Sequence, residues 1–370
     1  MSGDTRPVRA SEQLDWEKLA AYLRRELNAL GVDPAQLDRE MTVTQFPGGH
    51  SNLTYDLSFG DFELVLRRPP FGPVPPRAHD MARECRVLAA VHPHFALAPK
   101  PYLLCEDTNV IGSVFYVMER RRGLVIRTDE PDEIKGNADL RGRISGSMID
   151  VLADLHAIDI AAHGLDALGK PAGFVARQIR GWTERWHGSK TSDVPDMESL
   201  ASWLEVRVPD DPARATLVHG DYKLDNVMLA FDDPSNLIGV FDWEMSAIGD
   251  PLVDLGILLC YWIHAAGGHD AIPSVTKREG WFTRDQIIER YASRSNADLS
   301  NITLYEVFAV FKLAVVIQQI YARFVRGQTD DPRFEALGQR VAQLAQIARD
   351  LTSRAGTADA RDSVRPPRRS

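Results

Sequence analysis

The sequence predicts an α+β fold of two lobes: a small antiparallel sheet up to about Met118, then a mainly helical lobe. Three observations carry this. Before Met118, short runs of β-branched, aromatic and leucine residues alternate with Gly, Pro and Asp turns. After it, apolar residues recur at helical spacing. Late in the chain, a polar run, His219-Gly220-Asp221-Tyr222-Lys223-Leu224-Asp225-Asn226, interrupts two short apolar stretches.

The elements follow in order. Residues 1–13 read as a loose arm. Leu14, Leu19, Leu23, Leu27 and Leu30 mark a helix that stops at Gly31. Val43–Phe46, Leu53–Leu57 and Phe62–Arg67 read as strands, the first two joined by the turn Pro47-Gly48-Gly49-His50-Ser51-Asn52. Pro69–Pro76 is too rich in proline for regular structure. Ala78–Val91 carries Met81, Cys85 and Leu88 on one helical stripe, and Tyr102–Glu106 and Ser113–Met118 complete a five-stranded sheet. In the second lobe the period marks helices through Ile144–Leu155, Phe174–Trp186, Leu252–Ile263 and Leu304–Val325. Thr283 with Gln286 forms a capping box that opens a helix through Tyr291. Phe334–Leu351 is a last amphipathic helix, and composition predicts a disordered tail over 353–370. The lobes are thus 1–118 and 119–352, with a hinge at their join.

Bulk properties limit the function. At 370 residues, 44% hydrophobic and 26% charged, the chain can build an ample core. Its formal net charge of −9 argues against a nucleic-acid partner. Cys85, Cys105 and Cys260 are widely spaced with no C-x-x-C, as expected of buried thiols in a reducing compartment. Residues 1–9 are polar, unlike a signal peptide, and the apolar stretch Val307–Ile317 is interrupted by Lys312 and too short to span a bilayer. A cytoplasmic protein with no membrane partner is expected.

The polar run carries the chemistry. Phosphoryl transfer needs a positioned hydroxyl, a carboxylate to take its proton, and hard oxygen ligands for Mg²⁺. Asp221 is the candidate base and Lys223 a cation for the moving charge. Asn226, five positions after Asp221, and Asp242, after the apolar run Leu237–Phe241, are the candidate metal ligands. For the nucleotide, the amides around Gly48, Gly49, Ser51 and Asn52 suit phosphates, although Gly-Gly is also ordinary hairpin chemistry. Arg67, or its neighbour Arg68, and Glu84 on the helical stripe form a candidate phosphate-binding pair, or else two surface charges. Met118 and Glu119 sit where a hinge backbone would meet adenine. Asp250 and Asp254 read as structural carboxylates at a helix start. Lys312, Trp182, Trp186 and Tyr305 line either an acceptor pocket or the core.

These motifs resemble the aminoglycoside phosphotransferase-like kinase family, of protein-kinase-like fold. The resemblance runs from about residue 40 to about 330, through Gly48–Thr54, Leu66-Arg67-Arg68-Pro69-Pro70, Arg83-Glu84, His219–Asn226 and Phe241-Asp242-Trp243-Glu244. Leu66–Pro70, Tyr305–Phe308 and Gly327-Gln328 are most similar to a branch found fused to some acyl-CoA dehydrogenases. The resemblance implies ATP and Mg²⁺ as cofactors and a small-molecule hydroxyl as acceptor, in that branch a hydroxylated acyl group such as a 4-hydroxyacyl-CoA. It assigns Asp221 as base, Asn226 and Asp242 to Mg²⁺, and Arg67 to the usual lysine position, paired with Glu84. An antibiotic kinase and a nucleotide-binding pseudokinase are the alternatives. A protein kinase is disfavoured. Gly220 stands where H-R-D has Arg, and only eight positions separate Asp242 from Asp250, too few for an activation loop.

Overall fold

The computed structural model describes residues 4–47, 52–72, 79–263, 275–329 and 331–362. Two compact units emerge: Met1–Gly123 with Ile238–Met245, and Leu124–Leu237 with Ser246–Ser370. The first unit therefore extends past the expected boundary at Met118 and takes back a later segment of chain.

The sheet unit holds β1 (Thr42–Gln45), β2 (Leu53–Phe59), β3 (Phe62–Arg68), β4 (Pro101–Cys105) and β5 (Phe115–Glu119), with α1 (Trp16–Ala29), α2 (Pro34–Leu37) and α3 (Met81–Val91). Strand order is β1-β2-β3-β5-β4, every pair antiparallel. Alternation along β3 decides what each face does. Leu64 and Leu66 join Tyr55 and Leu57 of β2 against Leu19, Leu23 and Leu27 of α1. Val65 and Arg67 take the opposite face. Asp15 and Asp80 cap α1 and α3 through backbone amides, so each helix starts a little later than its apolar period suggested.

Residues 6–13 are not a loose arm. Arg6 and Gln45 exchange backbone hydrogen bonds of 2.9 and 2.8 Å, and the Tyr55 hydroxyl donates to the Glu12 carbonyl at 2.9 Å. Pairing with β1 satisfies backbone groups at the sheet edge, a reward that composition does not reveal.

The helical unit contains α4 (Ala138–Ala157), α5 (Phe174–Ser189), α6 (Pro195–Glu205), β6 (Thr216–Val218), β7 (Val227–Leu229), β9 (Ala247–Gly249), α7 (Leu252–Ile263), α8 (Arg284–Ser295), α9 (Ile302–Val325) and α10 (Leu337–Asp362). The remaining strand, β8 (Leu237–Val240), leads into the returning segment of the sheet unit. The Thr283/Gln286 capping box is present. Helix α10 covers residues 353–362, where a disordered tail was expected; Ala and Arg in that stretch favour helix once a long packed helix precedes them. Residues 363–370 lie outside the described residues.

Helix α9 has 24 residues and is long and apolar enough to cross a membrane. It packs instead against α5, α6, α7 and α10, with Val307, Val310, Phe311, Ala314 and Val315 fully or almost fully buried. At the α7–α9 crossing, a Cβ added to Gly256 would lie 2.5 Å from the Tyr305 carbonyl oxygen. Neither backbone can yield without shifting a helix. Gly256→Ala is therefore expected to destabilise the protein by about 1–3 kcal/mol, read from chemical unfolding. A wild-type midpoint would show that the crossing is looser than described.

Candidate active site

The helical unit builds the acid–base constellation. Strand β6 delivers His219, a short helical turn spans Leu224–Asn226, and β7 leaves it. Gly220 adopts φ +82°, a conformation that any Cβ would strain. Asp254, fully buried near the start of α7, holds the loop. Its Oδ2 accepts the His219 amide at 2.6 Å and Oδ1 the Gly220 amide at 2.7 Å. His156 Nε2 lies 3.1 Å from Oδ2, and the other ring nitrogen meets the Tyr291 hydroxyl at 2.7 Å. Burial opposes the charge on Asp254. The His156 hydrogen bond and charge, with the His219 amide, outweigh it and hold the carboxyl below its ordinary pKa.

These contacts orient Asp221. Its Oδ2 receives Lys223 Nζ at 2.9 Å and Asn226 Nδ2 at 2.9 Å. Asn226 Nδ2 also donates to the Asp221 carbonyl at 2.8 Å. Oδ1 of Asp221 has no hydrogen-bond partner among the described residues and is the atom left to accept a proton. With its nitrogen committed, Asn226 keeps its amide oxygen as a hard ligand. Burial opposes the charge on Lys223, but Tyr261, Asp221 and Asp225 raise its pKa above the ordinary lysine value. Its Nζ lies 4.8 Å from the Tyr261 ring centroid.

The sheet unit builds a second constellation. Arg67 Nη2 lies 3.3 Å from Glu84 Oε1 and 3.2 Å from Asp242 Oδ1. Asp242 reaches Arg67, 175 positions away, because the returning segment is tied to this unit. Arg121 Nη1 donates to the Ile238 carbonyl at 2.6 Å, the Val240 amide to Leu97 at 2.8 Å, and Arg83 Nη1 to the Glu244 carbonyl at 2.7 Å. Asp242 has φ +68°, a left-handed conformation uncommon for a non-glycine residue. Among the described residues, Arg67 Nε and Glu84 Oε2 are buried without hydrogen-bond partners. Burial pushes the Glu84 carboxyl up to about 7 against the pull of Arg67. A folded pKa above the ordinary 4.5 gives a contribution fully present below about 4.5 and lost as pH rises through 7. The melting temperature should therefore fall over that window, with a shallower slope in Glu84→Gln; equal slopes would exclude Glu84 as the source.

Several expectations need correction. Arg68 lies on the other face of β3 from Arg67, with its guanidinium 4.0 Å from the Phe71 ring centroid, and leaves Arg67 as the arginine of the pair. The Asn52 side chain is committed, Nδ2 to Glu244 Oε2 at 3.2 Å and Oδ1 to His79 Nδ1 at 2.8 Å, so only its backbone amide, the group expected at phosphate, is left for that role. Gly48, Gly49 and Ser51 lie outside the described residues. Met118 and Glu119 remain in the sheet opposite Val65 and Leu64. The Glu119 amide is spent on the Lys100 carbonyl at 2.8 Å, so that donor cannot serve adenine. Trp186 and Tyr305 belong to the core, hydrogen-bonded to Glu198 and Asp250. Lys312 was overlooked as part of the loop: Nζ donates to the Gly220 carbonyl at 2.6 Å and lies 5.4 Å from the Trp182 ring centroid. Its one sequence signal was a charge in an apolar helix.

The model of the phosphotransferase enzyme family matches residues 42–287. Acyl-CoA dehydrogenase family member 10 of Mus musculus is 32% identical over 360 residues, covering 95% of this chain and 32% of that protein. Family member 11 of Rattus norvegicus is 32% identical over 355 residues, covering 95% of this chain and 45% of that protein. The chain thus spans about a third to under half of the length of these curated relatives. Among solved structures, a Ralstonia eutropha protein described as an aminoglycoside phosphotransferase superposes with TM-score 0.76 at 29% identity, covering 92% of this chain and 99% of that one. Aminoglycoside phosphotransferase APH(4)-Ia, in ternary complex with ADP and hygromycin B, has TM-score 0.55 at 16% identity, covers 83% of this chain and 93% of that one, and shares the fold. The five-stranded antiparallel sheet and helical unit are those of protein-kinase-like phosphotransferases. The chain therefore belongs to the phosphotransferase enzyme family.

Proposed function

We propose that this chain transfers the γ-phosphoryl of ATP to the hydroxyl of a small anionic acceptor, a hydroxyacyl-CoA or hydroxy acid. The carrying observation is Asp221: Oδ2 is held by two donors while Oδ1 is left open. In this reading Oδ1 orients the acceptor hydroxyl and takes its proton as the oxygen attacks. Lys223 offsets charge developing on the transferred group. Asn226 and Asp242 supply oxygen ligands of the kind Mg²⁺ takes, and Arg67, braced by Glu84, is the phosphate cation. When bound, Mg²⁺ neutralises phosphate charge. The complex of APH(4)-Ia with ADP supports an adenine nucleotide.

Charge supports an anionic acceptor. The Asp221 loop carries Lys223, whose Nζ lies near the Tyr261 ring. A polycationic aminoglycoside would meet like charge there. The names of the curated relatives also point to acyl-CoA chemistry.

ADP release from Mg-ATP should be measured with 4-hydroxyacyl-CoAs, free hydroxy acids and aminoglycosides. Turnover with the first or second class, lost in Asp221→Ala, is expected. Turnover with aminoglycosides alone would replace the acceptor assignment. Mg-ATP binding with no turnover that Asp221→Ala removes would favour the pseudokinase.

A further inference from the structure

Lys312 stands out in α9. Its neighbours Val310, Phe311, Leu313, Ala314 and Val315 are buried and apolar. Burial pulls its pKa down. A methionine would avoid that penalty, so the charge needs a reason. Among the described residues its one hydrogen bond is short, 2.6 Å, from Nζ to the Gly220 carbonyl.

That carbonyl belongs to the peptide joining Gly220 to Asp221. The other end of the same peptide, the Asp221 amide, lies 3.2 Å from His219 Nδ1. The preceding two amides are held by Asp254. Gly220, with φ +82°, has the freedom to let this peptide rotate. Rotation would swing the Asp221 carboxylate and undo the split between its bound and open oxygens. Asp254 grips amides on the other side of Gly220, so the peptide itself is held by the long hydrogen bond from its Asp221 amide to His219 Nδ1 and by the short one from Lys312.

We propose that Lys312 is a positioning residue for phosphoryl transfer, pinning the Gly220–Asp221 peptide so that Oδ1 of Asp221 faces the acceptor hydroxyl. The role of Asp221 rests on the function proposed above; the clamp on the peptide does not. Lys312 touches neither phosphate nor acceptor in this assignment.

The test uses the full-length chain with Lys312→Met, Lys312→Arg and Asp221→Ala. Turnover is read as ADP release from Mg-ATP with a 4-hydroxyacyl-CoA, and with water alone as acceptor. Lys312→Met is expected to lose about 10–100-fold in kcat, the scale of a misplacement near 1 Å. KM for ATP should stay unchanged, and the unfolding midpoint should equal or exceed wild type. Lys312→Arg, which keeps a charged donor, should recover most of kcat. A general packing defect would instead lower the midpoint and would not be rescued by the larger arginine. Wild-type kcat in Lys312→Met overturns the proposal, as does loss without rescue. If Lys312→Met does not fold, Lys312→Gln, too short to reach Gly220, takes its place. If Asp221→Ala itself turns over normally, the assignment of the base fails. A crystal structure of the Lys312 variant then decides the clamp alone: a rotated Gly220–Asp221 peptide supports it, and an unmoved one refutes it.

Discussion

Replacing Asp221 by Ala is expected to lower kcat by about 10²–10⁴-fold, the usual contribution of a general base, while Mg-ATP still binds. The argument is geometric. Lys223 and Asn226 both donate to Oδ2, at 2.9 Å each, and none of the described residues competes for Oδ1. Deleting the carboxylate removes the proton acceptor and frees Lys223 and Asn226 from their anchor. Asp221→Asn separates these effects. It keeps a side chain of the same size but cannot take up a proton, so it should be nearly as slow as Asp221→Ala. Nucleotide binding measured by calorimetry should be close to wild type in both. A kcat within threefold of wild type in Asp221→Asn would show that the carboxylate does not accept the proton.

Much of this arrangement is legible in the sequence because it is local. Strand alternation and turn residues define the five-stranded sheet, and helical period locates α1, α5, α7 and α9. The five-residue offset from Asp221 to Asn226 survives as direct contact, since one short helical turn joins them. Long-range closure is less legible. Asp242 was readable as a strand-end carboxylate and Arg67 with Glu84 as a pair, but Asp242 against Arg67 depends on Arg121 and Leu97 holding a strand from far along the chain. The partners of the Asn52 side chain, His79 and Glu244, are not legible because they lie 27 and 192 positions away. Helix α6 was missed because its period is short and Pro195 opens it, a position where proline is tolerated. Asp254 was correctly read as structural, but for a weaker reason than the true one: it is a buried acceptor for the loop more than a helix-start charge.

That distinction sets the second large effect. Asp254→Ala is expected to destabilise the protein by roughly 3–5 kcal/mol, the scale of removing one partner from a buried ionic cluster. Two backbone amides, of His219 and Gly220, lose their acceptor where water cannot replace it, and His156 loses its carboxylate. An ordinary helix-start carboxylate would cost only about 1 kcal/mol. The two readings therefore differ several-fold in chemical unfolding. The pH dependence adds an independent check. The folded pKa of Asp254 is depressed, so its stabilisation is present above the ordinary carboxyl range and is lost as pH falls through the lower, folded value. Wild type should lose stability on acidification through that window, and Asp254→Asn, which does not titrate, should lose less. Asp254→Asn must also turn an amide N–H toward one of the loop amides that the carboxylate accepts, so kcat should fall even in the fraction that remains folded. A cost near 1 kcal/mol with unchanged kcat would reduce Asp254 to a helix cap. A cost of several kcal/mol with slowed turnover would show that the acid–base loop is held from beneath by this one buried carboxylate.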